Sequence, residues 1–355
     1  MSHPYKDLPD KNFWKKTVAE TDWSKMFSSE KGKFVITRQN VISTAGSCFA
    51  QRISTVLQSG GFNCGNFEAP HPLMAEQESR DLGYGLFSAR YGNIYTIRQL
   101  RQLIEEAFGL IEPRFKVAKS KEGQLIDLLR PGVRAGWTAE IEANEDRFYH
   151  MQCVKTLFTQ SDIFIFTLGL TEAWQDINDG TVYGIHPSVS LGRDYEGELA
   201  KVNFDYLECY NDLVFIMNFL REINANLKFI FTVSPVALAA THENKHVLLA
   251  TIYSKSVLRS VVGRLTDQCQ FADYFMAYEI FSCAQSFGQY LSGDLRDVSM
   301  RGVDVAMDTF KNMFFAESIP HAVTEANPYN EALPAQYNLN PADIECEEIL
   351  NALFQ

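Results

Sequence analysis

The sequence predicts an α/β protein of three layers, with helices on both faces of a mainly parallel sheet. Three observations lead there. Val41-Ile42-Ser43-Thr44-Ala45 runs into a Gly46-Ser47-Cys48 turn, and Gln51 to Gln58 then carries Ile53, Val56 and Leu57 at helical spacing. Apolar strand-like runs alternate with helical patterns along the rest of the chain, which implies right-handed βαβ units. Apolar residues make up 46% of the 355 residues, enough for a sizeable core in one large domain or two smaller ones.

The first strand–turn–helix step organises the rest. A strand that turns tightly into a helix puts the turn at the carboxyl edge of the sheet, where backbone N–H groups and the helix dipole favour negative charge. Gly46 permits the sharp turn because it has no Cβ. Ser47 or Cys48 then stands at an electropositive helix start, where a thiol gains thiolate character. The same two residues also fit a plain N-cap serine and a small buried apolar cysteine.

Gly46-Ser47-Cys48-Phe49-Ala50 spells the motif of the GSCFA domain family, and further blocks follow in that family's order. They are Phe166 to Trp174, Thr232 to Val236, Ser254-Lys255 and Tyr274 to Ile280. The chain therefore resembles that family over roughly residues 34 to 315. The resemblance implies a likeness to SGNH (GDSL-type) hydrolases with a flavodoxin-like topology, and a place in bacterial surface-polysaccharide pathways.

Bulk properties exclude several function classes. A formal net charge of -12 argues against a general nucleic-acid binder, which needs a basic face. The longest apolar runs, such as Ile163 to Leu170, are too short to span a bilayer. Met1 to Thr17 is polar and lacks an apolar signal core. Seven cysteines without CxxC or Cys/His spacing fit a reducing compartment, so a cytoplasmic location is expected. There is no Walker loop, no GxGxxG after a strand and no metal-ligand cluster, so neither cofactor nor metal is expected.

In chain order, residues 1–33 read as a polar lead-in that docks Phe13, Trp14, Trp23 and Phe27 on the body, and Phe34 to Ile36 as an extra strand. A short strand at Phe62 to Cys64 precedes a long loop, 66–93, rich in Gly, Pro and aromatics. Helices are expected near 97–108, 144–160, 208–223, 245–265 and 303–315, and strands at 163–168, 229–233 and 274–276. Residues 111–140 form a mixed insertion, and Asp179-Gly180 marks a hairpin turn reaching Tyr183. Residues 316–355 are an acidic, proline-punctuated tail with a short helix at 342–354, expected to pack late or against another subunit as a docking arm.

The candidate chemistry follows from the carboxyl edge, where open parallel sheets bind ligands. By the SGNH resemblance Cys48 takes the nucleophile position and Ser47 stands second. Thr171 stands where the related enzymes carry an oxyanion-binding Asn, and Gly92 with Asn93 offers a further donor. Thr171-Glu172 also reads as a helix start with a favourable acidic residue. The resemblance calls for Asp-x-x-His before the last helix. The chain instead has Asp294-Leu295-Arg296-Asp297, so the histidine position holds Asp297. His246, near the start of the helix after the 229–233 strand, is the leading replacement base, with Glu172 or Asp294 to orient it. His71 in the long loop is the next choice, while His242 reads as a surface residue. Arg90 and Lys255 are candidates for an anionic or carbohydrate substrate, and Tyr91 and Trp174 for stacking on sugar rings.

Two function classes follow. One is an esterase or acyltransferase that acts on an acyl group of a surface polysaccharide or its precursor, through Cys48 or Ser47. The other is a catalytically degenerate glycan-binding or assembly protein on the same fold. Carbohydrates and small acyl donors are the expected partners.

Overall fold

The structure, a computed structural model, describes residues 3–112, 117–133 and 136–315. Its first half runs β1 (Ile42–Gly46), α1 (Cys48–Ser59), α2 (Glu76–Asp81), α3 (Ile97–Ala107), β2 (Val117–Lys119) and β3 (Leu125–Asp127). Then come α4 (Glu140–Gln160), β4 (Ile163–Leu168), β5 (Glu172–Asp176), β6 (Val182–Tyr183), α5 (Pro187–Leu191) and β7 (Leu199–Asn203). The second half closes with α6 (Tyr206–Ile223), β8 (Lys228–Val233), α7 (Val247–Gln268), β9 (Ala272–Phe275), α8 (Ala277–Ser282) and α9 (Met300–Phe314).

Strands β1, β4, β8 and β9 lie side by side in that order, all parallel. Cys64 adds a parallel bridge to Ile42 on the outer side of β1. Counting that segment as second in the chain gives the order 2-1-3-4-5 of a flavodoxin-like sheet. Successive side chains on a strand point to opposite faces, and here both faces are buried. Ile163, Ile165 and Ile230 join Phe49, Ile53, Ala306 and Phe310 of α1 and α9 in one core. Phe164, Phe166, Phe229 and Phe231 join α3, α4, α6 and α7 in the other. That is the three-layer α/β/α arrangement the alternation predicts. No helix among the described residues is long and apolar enough to cross a membrane.

Three local expectations change. Phe34 to Ile36 forms no strand; Ile36 makes a single bridge to Phe315. Thr171-Glu172 opens no helix: β5 begins at Glu172 and pairs antiparallel with β6 and β7. Trp174 lies opposite Tyr183 and Lys201 there, and cross-strand pairing outweighs the local helix-start signal. In the lead-in, Trp23 docks on Tyr290 with ring centroids 4.8 Å apart, but Trp14 stays 70% exposed. The tail at 316–355, with its expected helix and docking role, lies outside the described residues.

The long loop and the insertion are tied down by buried ions. Arg90 donates from Nε to Glu68 at 2.7 Å and from Nη2 to Asp146 at 2.5 Å. Arg130 joins Asp146 and Asp127, both at 2.7 Å, and Arg147 joins Asp127 at 2.6 Å and also Glu106. His150 Nδ1 lies 2.6 Å from the second Glu68 oxygen. Arg90 is thus committed to the fold, which corrects its reading as a substrate contact. Tyr91 is corrected likewise: its ring is buried and its hydroxyl donates to the Thr44 carbonyl.

Two predictions follow from these packings. A Cβ on residue 46 would lie 2.3 Å from the Thr167 carbonyl oxygen, at a φ of +135°. Gly46→Ala should therefore cost at least about 1–3 kcal/mol in urea unfolding, the scale of one strained residue. In the buried network, burial pushes the His150 imidazole down to about 4 from 6.5, and its hydrogen bond with His150 helps hold Glu68 at about 2 rather than 4.5. Both folded-state values are depressed, so the unfolded chain takes up protons first. Stability should be complete above pH 6.5 and fall as pH drops from there towards 2. His150→Gln should flatten the upper part of that decline in thermal melts.

Candidate functional site

Gly46 and Ser47 turn the chain from β1 into α1 directly against β4. The Ser47 N–H donates to the Thr167 carbonyl at 3.1 Å, which fixes the turn on the neighbouring strand. Ser47 occupies the N-cap of α1, yet its side chain makes no capping bond. Its Oγ is buried and has no hydrogen-bond partner, so the plain N-cap reading does not describe it. Cys48 is the first residue of α1 and is 7% exposed. One turn on, Arg52 is largely buried. Burial weakens its charge, while Cys48 and Asp297 both support it. A cysteine at a helix start with a guanidinium at i+4 has two sources of thiolate stabilisation.

Two other chain segments meet this turn. The Ile94 N–H donates to the Gly46 carbonyl at 2.9 Å. Gly92, at φ +67°, and Asn93 therefore lie beside the turn, and Gln51 Nε2 of α1 donates to Asn93 Oδ1 at 3.4 Å. The N–H groups of Gly169 and Leu170 both donate to the Tyr95 carbonyl, at 3.0 and 2.9 Å. A Cβ on Gly169 would lie 2.9 Å from that oxygen and 3.3 Å from Ser47 Cβ, so only glycine fits without a shift. From beneath, α7 holds the same bend: Lys255 Nζ donates to the Gly169 carbonyl at 2.6 Å, and Ser254 Oγ accepts the Thr171 N–H at 2.9 Å.

Other predicted residues are placed differently. Lys255 is 1% exposed and faces backbone under the bend rather than an open substrate cleft. The Thr171 hydroxyl donates to Asn203 Oδ1 at 2.6 Å, which occupies the proton an oxyanion would need. Asp294 accepts the N–H groups of Arg296 and Asp297 at the exposed loop before α9, and those bonds hold its carboxyl below the usual range. Asp297 pairs with Arg296 at 2.8 Å. His246 is exposed at the start of α7, where its Nδ1 accepts the Leu248 N–H at 3.2 Å. His71, also exposed, accepts the Leu73 N–H. Each of these two imidazoles serves its own local turn.

A histidine that reads as surface is the one found in a pocket. His242 keeps only 10% of its side chain exposed and lies with Glu172, Trp174, His186 and Lys201 around a pocket of about 430 Å³. Glu172 accepts the Thr241 hydroxyl at 2.7 Å and the His242 N–H at 3.1 Å. The Trp174 ring meets His186 edge-on at 4.6 Å and His242 at 5.4 Å. Burial lowers the affinity of His186 for a proton. The sequence signal for His242 was its place in the loop after β8, on the same sheet edge as His246. Among the described residues no group of three or more His, Cys, Asp or Glu is arranged to hold a metal ion.

The Arg52 geometry can be tested directly. Arg52→Met should slow alkylation of Cys48 by iodoacetamide at pH 7 by roughly 3- to 10-fold, because a nearby guanidinium favours the thiolate. Mass mapping of the Cys48 peptide reads that rate, and an unchanged circular-dichroism spectrum confirms the fold.

No curated protein and no solved structure matches the chain. Residues 41–310 match the GSCFA family, a span that begins one residue before β1, carries the Gly46–Ala50 turn and ends within α9, so the chain belongs to the GSCFA family.

Proposed function

We propose that this protein is an esterase or acyltransferase that works on an acyl group of a bacterial surface polysaccharide or its precursor, with Cys48 as nucleophile. The observation that carries the reading is the position of Cys48 as first residue of α1, with Arg52 largely buried one turn on and a buried, unpartnered Ser47 hydroxyl beside it. In the reaction the Cys48 thiolate forms an S–C bond to the ester carbonyl, and the tetrahedral oxyanion collapses with loss of the glycan oxygen. That oxygen takes a proton from water, and water or an acceptor hydroxyl then releases the acyl group from the thioester. With the Ser47 N–H held by Thr167, the Cys48 N–H at the head of α1 and the backbone at Gly92–Asn93 are the candidate donors to the oxyanion. A thiolate nucleophile suits a reducing compartment, so this reading places the protein in the cytoplasm.

A second reading is favoured by one observation. The position that holds histidine in SGNH-type enzymes is Asp297, and its carboxylate is paired with Arg296. That arrangement fits a glycan-binding or assembly protein which keeps the fold without the full catalytic set.

Thiol labelling separates the two. Burial pushes Cys64 and Cys209 up to about 12 and raises Cys153, so those thiols should resist alkylation. On the enzymatic reading, haloacetamide labels Cys48 selectively at pH 7, and turnover of p-nitrophenyl acetate falls at least about 100-fold in Cys48→Ala, well within the range for loss of a nucleophile. Labelling spread over the other thiols, with unchanged ester turnover in the variant, would favour the binder.

A further inference from the structure

We propose that the pocket beside β5 binds a neutral hydroxyl-bearing ring, a pyranose, with Trp174 as its platform. The proposal rests on the acyl-transfer reading only for what the ring carries, not for the binding itself. A volume of about 430 Å³ lies within the roughly 300–1,000 Å³ of small-molecule sites.

The lining chemistry selects the class. Glu172 and Trp174 project from the same face of β5, because they stand two residues apart. Trp174 is half-buried, flanked by the two imidazoles and with Lys201 Nζ over its ring at 5.8 Å, so the aromatic surface it keeps is held in place at little entropic cost. Leu170 and Leu238 add apolar wall for the C–H face of a ring. Around them stand a carboxylate, a hydroxyl, an ammonium and two imidazoles, a mixture of donors and acceptors that suits hydroxyl groups, which are both. An anion fits less well, since Lys201 is the pocket's sole ammonium among the described lining residues and Glu172 offsets its charge.

His242 is anchored to the strands that form the pocket wall, its backbone N–H on Glu172 and its ring on Val202. Its Nε2 lies 3.2 Å from the Val202 carbonyl, which can only accept, so Nε2 carries the proton. Nδ1 makes no hydrogen bond and is inaccessible, with the Glu243 carboxylate 3.7 Å away on that side. The pocket also adjoins the reactive turn: Leu170 lines it and follows Gly169, whose Cβ position lies 3.3 Å from Ser47 Cβ. With about 3.8 Å between successive Cα atoms, the Leu170 end begins within about 10 Å of Ser47.

The test is saturation-transfer NMR on the full chain with the methyl glycosides of glucose, galactose and mannose, with methyl N-acetylglucosaminide, and with uridine and inorganic phosphate as the contrasting ligands. At least one glycoside should bind. Trp174→Ala should weaken that binding at least 10-fold, and Ala240→Trp, which fills the pocket without removing a core side chain, should do the same. Trp14→Ala, at an exposed ring, should leave it unchanged. Binding should persist in Cys48→Ala, so loss of acyl chemistry and loss of sugar binding are read apart. Absence of binding by every glycoside, binding indifferent to both pocket variants, or uridine or phosphate bound in their place would overturn the proposal.

Discussion

Where β1 passes β4, a Cβ on residue 46 would stand 2.3 Å from the Thr167 carbonyl oxygen, and a Cβ on residue 169 would stand 2.9 Å from that of Tyr95. These two backbone crossings, possible only without side chains, bring three loops to one point on the sheet edge. They let the Ser47 N–H reach Thr167, the Ile94 N–H reach Gly46, and the Gly169 and Leu170 N–H groups reach Tyr95. Ser47, Asn93 and Gly169 consequently share a small volume although they lie far apart in the chain. The placement of Cys48 at the head of α1, and of Arg52 one turn behind it, depends on that convergence.

A second constraint holds the outer shell in place. The loop at 66–93 and the insertion before α4 contribute little regular structure, yet Glu68, Arg90, Asp127 and Arg130 are all essentially inaccessible. Burying so many charges is costly, and it is tolerated because each guanidinium meets carboxylates on more than one side or in bidentate fashion. Arg147 of α4 stands at the hub between Asp127 and Glu106, so the helix, the insertion and α3 are coupled electrostatically. The loop thereby presents the Gly92–Asn93 segment to the turn at a fixed position.

The edge that results is divided. On one side the buried turn carries Cys48 and the orphaned Ser47 hydroxyl; on the other, the small antiparallel sheet β5–β7 continues β4 beyond the bend and forms the wall of the Trp174 pocket. Lys255 and Ser254 hold the bend that joins them. The chemistry proposed for the turn and the ring binding proposed for the pocket therefore depend on the same few residues, 169–171.

Much of this was legible in the chain itself. Near-continuous apolar runs at 163–168 and 229–233, with helical spacing between them, specify strands buried on both faces and hence the parallel sheet. The Gly46-Ser47-Cys48 step marks the tight strand-to-helix turn, because a glycine between β-branched residues and an amphipathic helix permits the sharp change of direction. What local pattern could not determine is which polar side chains end up facing one another. Arg90 and Tyr91 look like ligand-binding residues until Glu68 and the Thr44 carbonyl, distant in sequence, claim them. His246 and His242 lie four residues apart in one loop, yet one caps a helix in solvent and the other is buried against Trp174. Only the tertiary structure separates them, because an imidazole's role is set by burial and by hydrogen-bond partners drawn from other elements, and neither is encoded in its immediate neighbours.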